Sequence, residues 1–357
     1  MKLFQKKETC CGCGACVEIC PANAIKMVRD KEGFDYPQID PAVCTECAKC
    51  RSVCPIKVQE QTEGIKYDMG AQAKDDELRY SSSSGGFFSV LAQYVMKQFG
   101  VVYGAGYDES MRVIHKGAEN QEQLEQIKRT KYVQSDMTGI YGKIEKNLKE
   151  GRWVLFCGTP CQANALILFL NREYEKLIVA DLVCYGVPSP GIWKKYVNYL
   201  EHIYNGKMTD FCFRDKRRRD NGHMCSYTIG KDEYAGSLYD DIYCKMIFKN
   251  YILRPSCYSC KFCTVNRKSD FTIGDFWGIE HVRSDVDDGM GTSMVIVHSK
   301  RAKEIWDEIE TELNWFECAK EDILQPRLSE PTVSAKGRRF FMLLYKAVPF
   351  SLIAELL

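Results

Sequence analysis

Two cysteine runs near the start of the chain restrict its fold more than any other feature of the 357 residues. Both runs have the spacing C-x2-C-x2-C-x3-C-P, and each position of the second run lies 34 residues after its counterpart in the first, from Cys10 to Cys44 and from Pro21 to Pro55. Such a loop wraps three thiolates around one iron–sulfur cubane, and the cysteine before the proline is a fourth ligand. The repeat therefore predicts two [4Fe–4S] clusters.

In this arrangement the fourth cysteine of each run reaches the cluster of the other run. One cluster is thus predicted to be held by Cys10, Cys13, Cys16 and Cys54, and the other by Cys44, Cys47, Cys50 and Cys20. The stretch resembles the bacterial two-cluster ferredoxins over residues 5–58. Two structural zinc sites are the alternative, which fits less well because zinc modules use separated cysteine pairs. Cys11 lies outside the pattern and is predicted to pack beside a cluster as a small residue.

Cysteine usage also bears on location. The chain has 19 cysteines, and its start, MKLFQKKETCC, lacks the apolar segment of a secretory signal. Cysteines in a reducing compartment act as metal ligands or redox groups rather than as disulfides, so we expect a cytoplasmic protein. A net charge of +1 gives no indication of a nucleic-acid partner, and no apolar run approaches the length of a membrane span.

The rest of the chain predicts an α/β domain that follows the ferredoxin-like domain. Strand-like and helix-like stretches alternate, and residues 153–184 read as a βαβ unit, which favours a parallel sheet covered by helices. Other strands are expected at 101–108, 111–119, 129–136 and 293–299, and helices at 87–100, 139–149, 191–205 and 300–313. The expected divisions are a two-cluster domain at 1–58, a polar surface linker at 59–80, the two parts of the α/β domain at 81–150 and 151–318, and a C-terminal extension at 319–357.

Two stretches could bind an anion. The first is the SSSSGG segment at 81–86, which opens a helix whose free N–H groups and positive dipole end suit a phosphate, although a plain helix cap is the more common use. The second is the basic run FRDKRRRD at 213–220, which is either a solvated loop or a set of cations for a diphosphate or an acidic substrate. It contains Arg214, Lys216, Arg217, Arg218 and Arg219.

A third metal centre is predicted in the α/β domain. The strands at 153–157 and 177–184 should run parallel, so their carboxyl ends meet at one sheet edge, where Cys161 and Cys184 follow them. Cys257 and Cys260 can add a C-x2-C pair, with Cys263 as the alternate ligand, to complete a [4Fe–4S] cluster. A structural zinc at the C-x2-C-x2-C run is the competing interpretation. Cys157 is predicted to be a small core residue.

Six ordered motifs behind the ferredoxin-like stretch identify a family. SSGGFFSVL, TKYVQSD, CGTPCQANAL, DLVCYGVPSP, RPSCYSC and SDFTIGDFWG resemble the coenzyme F420 hydrogenase/dehydrogenase beta-subunit family. The resemblance, which is to the bacterial branch, implies a flavoenzyme with FAD and a [4Fe–4S] cluster in the body held by the same four cysteines. Hydrogenase members usually lack a cysteine at the position of Cys157. The resemblance places FAD at Ser83, Ser84, Gly85, Gly86, Lys131, Tyr132, Gln134, Ser135, Thr159 and Pro160.

The leading functional prediction is an FAD- and iron–sulfur-dependent oxidoreductase. It would pass electrons between ferredoxin-type clusters and an organic two-electron substrate, since flavin converts between one- and two-electron steps. The expected partners are a redox protein, such as a ferredoxin or a dehydrogenase subunit, and a small organic molecule. The alternative is a non-catalytic subunit that relays electrons to a partner enzyme.

Overall fold

A computed structural model describes residues 3–58, 66–218 and 223–355. Residues 59–65 of the expected linker and Arg219 of the basic run therefore lie outside the described residues. The strands are β1 (Ile25–Arg29), β2 (Asp35–Ile39), β3 (Tyr67–Ala73), β4 (Val101–Tyr107), β5 (Val113–Ala118), β6 (Val154–Gly158), β7 (Leu177–Leu182), β8 (Met208–Cys212), β9 (Met224–Ile229), β10 (Asp232–Ser237), β11 (Phe271–Asp275), β12 (Ser293–Val297) and β13 (Leu313–Glu317).

Helices cover the sheets and form the C-terminal end. They are α1 (Ala15–Glu18), α2 (Lys49–Ser52), α3 (Asp76–Tyr80), α4 (Phe87–Lys97), α5 (Gln121–Ile127), α6 (Ile140–Lys149), α7 (Pro160–Leu170), α8 (Pro190–Ile203), α9 (Ile242–Phe248), α10 (Ile279–Val282), α11 (Lys300–Ile309), α12 (Lys320–Ile323), α13 (Arg338–Ala347) and α14 (Phe350–Glu355). None of the helices in the described part of the chain combines the length and apolar character that a membrane crossing requires.

The main sheet is mixed and, within the described residues, has eight strands in the order β13-β3-β12-β11-β7-β6-β4-β5. Its central strands β11, β7, β6 and β4 pair in parallel, whereas the pairs toward both edges are antiparallel. The predicted α/β class and the parallel pairing of the βαβ strands are thereby confirmed. The carboxyl ends of β6 and β7 lie side by side, with Gly158 opposite Asp181.

The turn after β6 folds as its sequence requires. Thr159 is the N-cap of α7 and Pro160 its first residue, where a missing N–H costs nothing. The side chain of Gln162 reaches back to accept a hydrogen bond from the backbone N–H of Thr159 at 3.0 Å, as in a capping box. This sharp start of the helix holds Cys161 close to the end of the strand.

Two predicted segments fold differently. Residues 67–80, expected in a surface linker, form β3 and α3, and β3 is a buried strand between β12 and β13. Residues 129–136, expected as a strand, are irregular apart from a single bridge at Asp136. Their backbone groups bond to several elements: the N–H of Thr130 donates to Ser83 Oγ and that of Gln134 to the carbonyl of Pro188.

A second sheet was not predicted. Strands β10, β9 and β8 form an antiparallel sheet, and β1 pairs with β2 as a hairpin in the N-terminal domain. The N-terminal domain and the body share apolar packing, because Cys11, Cys13, Ala15 and Val53 belong to the same buried cluster as residues of α6 and α7. The cysteine runs therefore lie against the main sheet domain.

Candidate metal centres and anion-binding loop

The two cysteine runs repeat in backbone conformation as well as in spacing. Gly12 and Gly14 have positive φ angles of 69° and 80°, and their counterparts 34 residues on, Glu46 and Ala48, have φ angles of 54° and 60°. Left-handed conformation is costly for Glu and Ala, so the second loop holds a strained backbone that the first obtains from glycine. Strain of this kind is typical of sites where a bound ligand holds the backbone in an unfavourable conformation.

Each run lines one of two cavities, and each cavity is also lined by at least one cysteine of the other run. The first cavity is lined by Cys10, Cys13, Cys16 and Cys54, together with Cys11 and Cys50. The second is lined by Cys20, Cys44, Cys47 and Cys50. Burial raises the pKa of Cys16 to about 12, and the neighbouring thiolates of Cys10, Cys54 and Cys50 add to this rise. Each crossed set that the spacing predicts lines one cavity, and Cys50 lines both.

The cysteines are spread around these cavities rather than drawn to a point. Within residues 3–58, 66–218 and 223–355, no three metal-binding side chains converge on the position of a single ion. A tetrahedral zinc site needs four ligands at about 2.0–2.3 Å from one atom.

The four thiols of the predicted third centre also lie together. Burial raises the pKa of the Cys184 thiol well above its usual value, and Cys257, Cys161 and Cys260 raise it further as neighbouring negative charges. Cys161 lies on α7, Cys184 follows β7, and Cys257 lies in a single 3-10 turn at Pro255–Ser259. The sheet edge therefore collects the thiols as expected.

Two further cysteines differ in their surroundings. Cys263 lies beside Cys260, to whose sulfur it is hydrogen-bonded, and near Cys184, so it remains the alternate ligand. Burial raises the pKa of Cys157 to about 12, and the charged neighbour that adds to this rise is Asp181 rather than a cysteine. Cys157 is only partly buried and lies outside the buried apolar clusters, so its predicted core position is met only in part.

A buried ion pair supports the third thiol group. Arg267 Nη1 donates to Asp181 Oδ1 at 2.7 Å, and both side chains are less than 5% exposed. The other oxygen of Asp181 accepts from Ser269, and Thr272 also donates to Asp181. Nη1 also donates to the carbonyl of Leu182. The neighbouring Cys263 lowers the pKa of Cys260, and the charge of Arg267 acts in the same direction. The pair thus fixes the end of β7 and sets a positive charge beside the thiols.

Cys11 joins the first cavity to the third thiol group. It is buried, and its thiol is hydrogen-bonded to both Cys13 and Cys161. Tyr141 Oη donates to the carbonyl of Cys13 at 2.7 Å, and Gln134 Nε2 donates to that of Cys11 at 3.0 Å. The predicted packing of Cys11 as a small residue holds, and it falls at the contact between the two domains.

The SSSSGG loop lies at the start of α4. Gly86 is the N-cap, with a φ of 91°, and it is buried together with Gly85 and Phe87. The hydroxyl groups of the loop have partners in the protein: Ser83 Oγ accepts from the N–H of Thr130, and Ser84 Oγ donates to the carbonyl of Thr292. Gly85 packs against backbone, since a Cβ there would lie 2.3 Å from the carbonyl oxygen of Ala71.

Part of the basic run reaches this loop. Lys216 Nζ donates to the carbonyl oxygens of Ser84 and Arg79, and burial lowers its pKa to about 8. Arg79, which is 4% exposed, forms a bidentate pair with Asp288 at 2.6 Å. Arg214 pairs with Asp275 at 2.9 Å. Lys216 of the basic run contacts the loop, whereas Arg79 and Arg214 are each paired with a carboxylate.

The other predicted flavin residues separate into two groups. Desolvation lowers the pKa of the partly buried Lys131 to about 7, and its amine donates to the carbonyl of Lys128, while Tyr132 lies beside Arg214; neither is shown in contact with the loop. Gln134 instead contacts the N-terminal domain, and Ser135 Oγ accepts from Gln162 at 2.9 Å. Thr159 Oγ1 lies 3.2 Å from Cys161 Sγ, and Pro160 is buried next to it.

Sequence reasoning missed two buried arginines. Arg79 and Arg254 both lie near the predicted sites, but neither belongs to a repeated or charged motif. Arg254 opens the motif RPSCYSC, three residues before Cys257, but that motif predicts a site only through its cysteines.

The chain matches two known families. Residues 151–320 match the family described as the C terminus of the beta subunit of coenzyme F420 hydrogenase/dehydrogenase, and residues 9–58 match the "4Fe-4S dicluster domain". A 194-residue stretch is 22% identical to the F subunit of the F(420)H(2) dehydrogenase of Methanosarcina mazei, covering 50% of this chain and 53% of that protein.

Two further relatives resemble parts of the molecule. A ferredoxin of Alicyclobacillus acidocaldarius is 43% identical over 53 residues, which is 15% of this chain and 62% of the ferredoxin. A chain in the F420-reducing [NiFe] hydrogenase complex of Methanosarcina barkeri aligns with a TM-score of 0.47 and 18% identity, over 81% of this chain and 91% of that one. The chain thus spans about half to three fifths of the length of the curated relatives it matches.

These matches agree with the cavities and the sheet edge. The N-terminal domain is an iron–sulfur domain of the electron-transferring ferredoxin type, and the body is related to subunits of oxidoreductases. The chain is thus similar to the coenzyme F420 hydrogenase/dehydrogenase beta-subunit family over residues 151–320, and to the 4Fe-4S dicluster domain family over residues 9–58.

Proposed function

We propose that the protein is an FAD- and iron–sulfur-dependent oxidoreductase that passes electrons between its ferredoxin-type clusters and a soluble organic two-electron carrier. The observation that carries the proposal is the position of Cys161, Cys184, Cys257 and Cys260 at one edge of the parallel strands, in contact with the dicluster domain through Cys11. A third [4Fe–4S] cluster at that edge would continue the electron path from the dicluster domain into the body.

The proposed electron path starts at the protein surface and leads into the body. Cys47, in the second cavity, is exposed, so this cluster lies where a protein donor can approach it. The first cavity lies deeper, against α6 and α7, and adjoins the third thiol group. Clusters in this order would move single electrons from the surface inward.

A flavin near the end of this path would supply the two-electron step. The N-terminus of α4 is a helix start with a positive dipole end, and Lys216 contacts the loop before it. Arg79 and Arg214 lie in ion pairs with Asp288 and Asp275, which a bound diphosphate would have to share. Helix N-termini with flanking cations bind diphosphates in many proteins. We therefore place the FAD diphosphate at Ser83, Ser84, Gly85 and Gly86, with Lys131 and Tyr132 along the cofactor. The name of the Methanosarcina mazei relative makes coenzyme F420 the first carrier to test.

Cofactor analysis of the anaerobically purified chain tests this function. We expect about twelve irons and twelve sulfides per chain, and one flavin released on denaturation. Reduced F420 and reduced nicotinamides are then added separately, and bleaching of the flavin band identifies the carrier. A chain that holds its clusters but no flavin after reconstitution with FAD would contradict the proposal.

The second candidate function is a relay subunit without flavin. It is favoured by one observation: the hydroxyls of Ser83 and Ser84 already have protein partners, and Gly85 packs against backbone. Such a loop would act as a helix cap only. Full iron content without flavin, together with reduction by a ferredoxin, would support this candidate.

A further inference from the structure

Arg254 brings a guanidinium group into the boundary between the dicluster domain and the body, where it is 0% exposed. Its Nε donates to the carbonyl of Cys10 at 2.8 Å, Nη1 to Gln134 Oε1 at 2.9 Å, and Nη2 to the carbonyl of Asp35 at 3.0 Å. The guanidinium also lies 4.2 Å from the centre of the Tyr36 ring. Each of these oxygen partners is uncharged.

The charge of Arg254 thus has no carboxylate partner among the residues that the structure describes. The carboxylate of Asp35 pairs with Arg29, and that of the nearby Glu32 pairs with Arg338 at 2.7 Å. A buried cation without a counter-charge is strongly unfavourable. A negative charge must therefore come from a group that Arg254 contacts.

The group in contact is the first cysteine run. Arg254 Nη2 lies 3.8 Å from Cys10 Sγ, a hydrogen-bonding distance for sulfur. The guanidinium also fills the space where Gly12 has no side chain, since a Cβ there would lie 2.5 Å from Nη1. The thiolates that hold a cluster are negatively charged and provide the counter-charge for Arg254. Charges and hydrogen bonds near the sulfurs set the reduction potential of a cluster.

We propose that Arg254 is a positioning residue that raises the reduction potential of the inner cluster, the one assigned to Cys10, Cys13, Cys16 and Cys54, relative to the outer cluster assigned to Cys20, Cys44, Cys47 and Cys50. Reduction adds one electron to the inner cluster and breaks no bond, and the guanidinium stabilises the added negative charge. The inference rests on the cysteine assignment within the proposed function but not on the flavin.

The consequence is a direction for electron flow. The exposed outer cluster would pass an electron downhill to the inner cluster, next to the third thiol group. Arg254 also supports that group through its backbone, because its carbonyl accepts from the N–H of Cys257 at 2.9 Å. Arg254 therefore contacts both the first cysteine run, through Cys10, and the turn that carries Cys257.

The test is a dithionite redox titration of the full chain, followed by EPR, in which the signal that Cys20→Ser removes is assigned to the outer cluster. In Arg254→Gln we expect the reduction equilibrium of the inner cluster to fall at least tenfold, which is about 59 mV for one electron. The outer cluster should shift far less. Arg254→Lys keeps the charge and should retain most of the potential.

Arg338→Gln is the matched control, because Arg338 lies at the same boundary but is paired with Glu32. It should leave both potentials unchanged. If Arg254→Gln loses iron, Gln134→Glu replaces it: this change sets a carboxylate against Nη1 and should also lower the inner potential.

Unchanged potentials at full iron content in Arg254→Gln, or in Gln134→Glu, would overturn the proposal. Equal shifts of both clusters, or an Arg254→Lys shift as large as that of Arg254→Gln, would also overturn it. These potentials can be read with or without flavin, so a missing flavin counts against the proposed function alone.

Discussion

At the scale of single residues, the crossed ligand sets make a clear prediction for Cys20. Its sulfur lines the second cavity with Cys44, Cys47 and Cys50, although it belongs to the first run. Cys20→Ser should therefore damage the cluster of the second run and leave that of the first run intact, because serine is a poor ligand for iron in such clusters. EPR of the reduced protein and iron content measure the loss.

Cys318→Ser is a suitable control, since the thiol of Cys318 donates to the carbonyl of Asp68 in the body and lines neither cavity. It should keep the full iron content. Loss of the first-run cluster in Cys20→Ser, with the second-run cluster preserved, would refute the crossed assignment.

The difference between predictable and unpredictable residues follows from spacing. Eight cysteines repeat at fixed intervals, and such intervals carry the ligand geometry, so the sequence predicts which thiols gather. Arg254 and Arg79 belong to no repeated spacing in the sequence. Their importance comes from burial and from partners such as Cys10 and Asp288, which lie far away in the sequence. Contacts of that kind depend on the complete fold.

At the scale of elements, the N-terminus of α4 gives a test of flavin binding. Gly86 has a φ of 91°, so any side chain there strains the backbone, by about 1–2 kcal/mol, and a Cβ would meet that of Ala73 at 3.0 Å. Gly86→Ala introduces this backbone strain without adding a charge. Gly86→Glu adds a carboxylate at the helix end where we place the diphosphate.

We expect Gly86→Ala to keep most of its flavin and Gly86→Glu to lose nearly all of it, since the added charge repels a diphosphate. Released flavin per chain is measured in both variants, with iron content as the check on folding. Equal flavin content in the two variants would place the cofactor elsewhere.

Elements can be predicted best where hydrophobic periodicity and end signals agree. The strand–helix–strand unit from β6 to β7 has a Thr-Pro helix start and two apolar strands, and it folds as expected. The sequence of β3, YDMGAQA, mixes polar and small residues, and such a mixture predicts a linker rather than a strand. It becomes a strand because β12 and β13 pair with it on both sides, which is a tertiary effect.

At the scale of the whole molecule, the dicluster domain is held to the body by contacts that bring its inner cavity to the sheet edge. Besides Arg254, the hairpin turn between β1 and β2 packs on the start of α8, where the N–H of Gly191 donates to the carbonyl of Gly33 at 3.0 Å. The two glycines approach so closely that a Cβ on Gly33 would lie 2.7 Å from the Cα of Gly191, and one on Gly191 would lie 2.5 Å from the Cα of Gly33. This close docking could not be predicted from the two domains separately.

The last prediction concerns Glu18, which caps a helix of the body from the dicluster domain. Its Oε1 accepts from the N–H of Gly139 at 2.7 Å and its Oε2 from that of Gly142 at 3.0 Å, at the start of α6. A carboxylate there satisfies two free N–H groups and the positive end of the helix dipole. Glu18→Gln keeps the shape but loses one acceptor and the charge, which should weaken docking by about 1–3 kcal/mol.

Hydrogen exchange of the amides at 139–142 should then accelerate, while the third thiol group stays loaded with iron, because its four cysteines come from the body. Glu8→Gln, a change at an exposed glutamate of the same domain, serves as the control and should leave these amides unaffected. Unchanged exchange at 139–142 in Glu18→Gln would mean that the cap contributes nothing to docking. In that case the shared apolar cluster, Arg254 and the hairpin turn hold the two domains together without the cap.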